Sequence, residues 1–153
     1  MSARSNRIWK VLGGVAVLLL AAQLVPVDRT NPPMGQAALD LPGGEVGATL
    51  EAACLDCHSH QTTWPWYGKV APVSWWLARH VSEGREHLNF STWGEQAVDR
   101  QDHKLEELIE MVEEGEMPLK SYQLGHPEAR ITDAQRQTLV QGARQAREAL
   151  AGR

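Results

Sequence analysis

Cys54-Leu55-Asp56-Cys57-His58 places two thiols three residues apart with an imidazole next in line. This is the c-type haem attachment signature. Each thiol can add across one vinyl group of the porphyrin, and the histidine then comes beneath the ring as proximal iron ligand. A lone Cys-x-x-Cys also serves as half a zinc site or as a redox dithiol. Structural zinc takes four nitrogen or sulfur ligands, and no second cysteine pair exists among 153 residues with two cysteines. A thioredoxin-type pair needs a βαβ surrounding, which the sequence does not supply. The expected cofactor is one covalent haem c on Cys54 and Cys57, with His58 on the iron.

The elements that must position this motif read as helices. Val46, Leu50, Ala53, Cys54 and Cys57 recur at three- and four-residue spacings, which predicts a helix from about Val46 or Thr49 to His58. Pro72 can open a helix through Trp75, Trp76, Arg79 and His80 to Glu83, with Gly84 as its cap. Asp102 can cap the next helix, in which Leu105, Leu108, Ile109 and Val112 form one apolar face and Gly115 marks the stop. A last helix opens at Thr132, whose capping box uses Gln135, and turns Leu139, Val140, Ala143, Ala146 and Leu150 inward. Nothing alternates with a period of two for long, so the expected class is all-α.

Ahead of this domain the chain carries a targeting pattern. Arg4, Arg7 and Lys10 precede an uncharged run from Val11 to Val25, as a basic n-region precedes an apolar h-region. Ile8, Trp9 and Val27 lengthen the run to roughly twenty residues, about one membrane crossing. Ala21-Ala22-Gln23 is a poor cleavage site, so residues 1–27 are expected as an uncleaved signal anchor or transmembrane helix. The basic end then lies in the cytoplasm. Residues 28–47, with Asn31-Pro32-Pro33 and Leu41-Pro42-Gly43-Gly44, read as a linker. Residues 48–153 form the mono-haem domain. The expected location is the bacterial inner membrane with this domain in the periplasm, or the periplasm itself if the segment is cleaved.

Charge and aromatic content narrow the partners. Without the three basic residues before the apolar run, 12 basic residues face 19 acidic ones, a net of about −7. Nucleic acid is not an expected partner; a redox protein with a basic docking face is. Five of the six tryptophans fall between positions 64 and 93, against a single phenylalanine. Large rings with one polar edge suit packing on a porphyrin.

Two resemblances follow. The order of motif helix, loop, helix, Gly-x-Met-Pro and capped last helix resembles the class I cytochrome c fold. More closely, Cys54 to His58 followed by Trp64-Pro65-Trp66-Tyr67, Ala71-Pro72, Ser74-Trp75, His80-Val81, Gly84-Arg85, Leu88-Asn89-Phe90-Ser91 and Met117-Pro118 is similar to the small bacterial haem-binding domain family. The resemblance implies Met117 as distal iron ligand, with His80 as the alternative and His87 or an open site behind them. It also implies a backbone carbonyl near Ala71-Pro72 holding the proximal imidazole. Arg79, Arg85, Asn89, Trp93 and Tyr122 are candidates for the haem propionates. His60 is too close to His58 to reach the opposite face, and His103 and His126 are expected at the surface. The implied activity is electron transfer, with no catalytic residue assigned. A peroxidase-like haem enzyme or a haem-based redox or gas sensor, either with an open sixth site, is the alternative.

Overall fold

The computed structural model describes residues 3–35, 37–39 and 43–152, with side chains from residue 6 onward; Leu41 and Pro42 of the expected linker lie outside the described residues. Among the described residues all regular structure is helical. The α-helices are α1 (Ala3–Ala22), α2 (Gly44–Ala53), α3 (Leu55–His58), α4 (Val73–His87), α5 (Val98–Glu113), α6 (Lys120–Gly125) and α7 (Asp133–Ala151). Short 3-10 turns cover Trp66–Lys69, Phe90–Glu95 and Pro127–Ala129. The protein is all-α.

Two compact units divide the chain. One joins the residues up to Thr30 with Thr63–His80, and the other joins Asn31–Thr62 with the residues from Val81 onward. Helix α4 contributes its first half to one unit and its second half to the other.

In the first unit α1 begins in the basic residues and ends at Ala22. There Gln23, Leu24 and Val25 donate to Leu20, Ala21 and Ala22, three residues back, at 3.1, 3.0 and 3.3 Å, which tightens the last turns. The uncharged part of the helix, Val11 to Ala22, spans about 18 Å at the usual rise per residue, against a hydrocarbon core of about 30 Å. No helix among the described residues is long and apolar enough to cross a membrane. The transmembrane helix expected over residues 1–27 is therefore corrected to a shorter helix, with the end of the apolar run in a turn.

The second unit is built on one core. Leu50 and Leu55, Phe90 and Trp93, Leu105, Ile109 and Val112 of α5, and Leu139, Val140, Ala143 and Leu150 of α7 are buried together. Helices α2 and α5 both pack on α7. Thr132 and Gln135 form the expected capping box at the start of α7. Gly115 sits at φ +74° just past α5, a left-handed conformation that favours glycine.

Three expectations give way here. Helix α5 starts at Val98 on Ala97, so Asp102 lies inside it, and its carboxylate accepts from Nε and one terminal nitrogen of Arg147 on α7 at 2.7 and 2.9 Å. Ala146 is exposed, because it falls off the face that Leu139, Val140, Ala143 and Leu150 turn to the core. The single motif helix is two, because Cys54 at φ −127° ends α2 before α3 begins at Leu55.

Candidate haem-attachment site

The motif occupies one isolated turn. Cys54 carbonyl accepts from the backbone N–H groups of Cys57 at 3.2 Å and His58 at 2.9 Å, so the two sulfurs and the imidazole project from a single loop of helix. Both cysteines are free and partly buried. Burial pushes the Cys54 thiol up to about 12, with Cys57 adding repulsion, and burial together with Asp56 pushes Cys57 up to about 11. Both therefore stay protonated thiols near neutrality.

His58 is held from behind by the end of α4. Its Nδ1 lies 2.9 Å from the carbonyl oxygen of Gly84 and 3.0 Å from that of Leu88. Both partners are acceptors only, so Nδ1 carries the proton and Nε2 keeps the lone pair that a metal takes. These carbonyls lie at a helix C-terminus, where the negative end of the dipole makes the ring a stronger donor of electrons; that of Gly84 also accepts the Leu88 N–H at 2.9 Å. Burial pulls His58 below its ordinary value, against the two carbonyl bonds that raise it, and favours neutral imidazole. The carbonyl expected near Ala71-Pro72 is not used for this; Ala71 carbonyl accepts from the side chain of Gln23 at 3.2 Å.

Gly84 makes that approach possible. A Cβ on it would stand 2.8 Å from the carbonyl oxygen of Cys57 and 3.2 Å from both its carbonyl carbon and Cβ. Helix α4 runs straight through this residue to His87. Gly84 is thus a contact surface for the motif and not the cap the sequence suggests.

Arg85, one residue on, ties down the loop after the motif. Nε donates to Ser59 carbonyl at 2.8 Å, and one terminal nitrogen donates to Asn31 Oδ1 at 2.8 Å and Thr62 Oγ1 at 2.9 Å. Thr62 Oγ1 in turn donates to the Asp56 carbonyl inside the motif at 2.6 Å. His60 has both ring nitrogens engaged: Nδ1 donates to Pro33 carbonyl at 2.8 Å and Nε2 accepts from Asn89 at 2.9 Å. From the far side, Tyr122 on α6 donates its hydroxyl to Asp56 Oδ2 at 2.8 Å. Burial first, and then Asp56, push that phenol well above its ordinary range. His126, expected at the surface, is partly buried and stacks on Tyr122 with centroids 4.1 Å apart.

The residues considered for the propionates are thereby placed. Arg85, Asn89 and Tyr122 support the motif and its loop, and Trp93 fills the core. Arg79 lies exposed on α4. Among the distal candidates, Met117 is partly buried against the same core as Cys54, and its backbone N–H donates to Met111 carbonyl at 3.0 Å. Helix α6 intervenes between Met117 and α7. His80 belongs to the first unit, where Nδ1 donates to Trp76 carbonyl at 3.0 Å and the ring packs on that of Trp76. His87 is exposed at the end of α4, and His103 is exposed beside Glu106 and Glu107.

The donor set fits a haem: two protonated thiols and a neutral imidazole with Nε2 available share one turn. Among the described residues no three His, Cys, Asp or Glu side chains cluster as a metal-ion site, so the thiols lack the further ligands that structural zinc uses. An all-helical unit that carries this turn has the chemistry of a haem-binding domain. A family model described as "Haem-binding domain" matches residues 17–145, and the chain belongs to that family. No curated protein and no solved structure matches it.

Proposed function

We propose that the protein is an exported mono-haem c-type cytochrome that carries electrons. Cys54 and Cys57 attach the haem, His58 binds the iron through Nε2, and Met117 is the distal ligand. The observation that carries this reading is the His58 imidazole, fixed through Nδ1 by two backbone carbonyls in the same turn as two free thiols. Bound there, haem supplies a one-electron couple, which thioether ligation from a methionine shifts toward the reduced state.

The chain's own groups do the rest. Each S–H adds across a vinyl double bond, sulfur to one carbon and hydrogen to the other, so attachment needs no oxidant. Gly84 and Leu88 hold the imidazole in one tautomer and one orientation. Arg85 and Tyr122 keep the motif turn from shifting as charge at the iron changes. Nine basic and eighteen acidic residues give the second unit a net charge of −9, which steers it toward a basic face on a redox partner. Basic residues ahead of an apolar helix support export and tethering, with the haem unit on the periplasmic side of a bacterial inner membrane.

Redox titration under an optical cell, followed by carbon monoxide on the reduced protein, tests the carrier role. A reversible one-electron couple with no rapid carbon monoxide adduct is expected. Rapid binding of carbon monoxide or turnover of peroxide would overturn it in favour of ligand chemistry.

A further inference from the structure

The two units differ sharply in charge and in what they show to solvent. Beyond the basic residues ahead of the apolar segment, the unit of residues 1–30 and 63–80 carries Arg29, Lys69 and Arg79 against Asp28, a net of +2 where the other unit has −9. This basic unit also exposes its large apolar side chains. Trp66 is 78% exposed, and Val70, Val73, Trp75 and Trp76 are exposed within the next ten residues. A run of this size left in water marks an interaction site. Tryptophans beside basic residues are the composition of a membrane–water interface, where the ring enters the apolar boundary and the cations meet lipid phosphates.

Hydrogen bonds fix where that run stands relative to the apolar N-terminal segment. Gln23, the first residue past α1, pairs with both sides of the Ala71 backbone: Oε1 accepts from Ala71 N–H at 2.9 Å and Nε2 donates to its carbonyl at 3.2 Å. Arg29 donates to Gly68 carbonyl at 3.1 Å. The end of the apolar segment is thus fastened to the middle of the tryptophan run, and Leu24 and Val25 beside Gln23 are exposed as well. The uncharged part of α1, too short by itself to cross a bilayer, is in this way continued by a second apolar surface.

We propose that residues 66–76, together with the end of the N-terminal segment, form a face that docks on a bilayer containing anionic lipid. Trp66, Val70, Val73, Trp75 and Trp76 enter the interface, and Lys69 meets the headgroup phosphates. This adds a second membrane contact to the single tether of the functional reading, on which it rests.

The full haem-loaded chain, reconstituted with phosphatidylcholine vesicles with and without phosphatidylglycerol, provides the test by hydroxyl-radical footprinting and flotation. Oxidation of Trp66 and Trp76 should fall severalfold when phosphatidylglycerol is present, while exposed Met111 and Leu124 of the other unit oxidise equally in both. Lys69→Glu should weaken that protection about tenfold in lipid dependence. Equal oxidation of both tryptophans in the two vesicle types, with the protein still floating, overturns this inference and leaves the tether standing. Failure to float with either vesicle overturns both. Protection that rises with protein concentration without vesicles overturns it too, making the face a contact between copies.

Discussion

The His58 imidazole donates to the carbonyl of Gly84 at 2.9 Å, on the turn of α4 whose missing side chain lets it lie against the backbone of Cys57. One residue therefore sets both the distance of the helix and the orientation of the ring. Gly84→Ala puts a methyl 2.8 Å from a backbone oxygen that has no free side-chain end to yield. The cost should be about 1–3 kcal/mol, as for other overpacked contacts. Chemical denaturation should show that loss, and the absorption spectrum should show less holoprotein and a weakened proximal bond. Unchanged stability and an unchanged spectrum would mean the approach is not tight.

Met117 lies against the core that also receives Cys54. Ferric protein should therefore show the long-wavelength sulfur-to-iron band. Met117→Ala should abolish it, lower the potential and admit carbon monoxide, and His80→Ala should leave it intact. The reverse pattern would move the distal ligand to His80.

Tyr122 holds Asp56 in the middle of the motif through one hydroxyl. Tyr122→Phe should cost about 1 kcal/mol, the ordinary net worth of such a bond. Its phenol should also resist ionisation past pH 10, where a free tyrosine titrates, which ultraviolet difference titration against the phenylalanine variant reads directly. A step of ordinary tyrosine titration missing from the variant would contradict the bond.

The pairing of Asp102 with Arg147 links α5 to α7 and depresses the carboxyl below its ordinary value through the guanidinium hydrogen bonds. A carboxyl depressed in the folded state binds fewer protons than the unfolded chain near pH 4. Its stabilisation is thus complete above that range and is lost as pH falls through the lower folded value. Asp102→Asn should lower the denaturation midpoint slightly at pH 7 and not at all in strong acid, with the difference shrinking in high salt. A difference that persists in acid would assign the effect to packing.

Side-chain chemistry at fixed spacing was what the sequence made legible. The two thiols and imidazole, the capping box at Thr132 and the apolar face of α5 all depend on residue type and local period. The grip on His58 comes from backbone carbonyls, which leave no mark in a sequence. Gly84 misleads for a related reason, since glycine suits both a helix stop and a close approach, and only the position of Cys57 across from it separates the two. Asp102 likewise has the residue type of a cap, but its partner 45 positions away on α7 decides its role. The end of α1 was hidden because apolar residues continue past Ala22 while the backbone turns, so hydropathy overstates the helix.

Intact-mass analysis after extraction with acidified organic solvent addresses the attachment itself. The holoprotein should keep the mass of one haem, and Cys54→Ala or Cys57→Ala should reduce or abolish the mass-shifted species. A wild-type chain that returns to its unmodified mass, with the haem recovered in the solvent, would contradict covalent attachment at this turn.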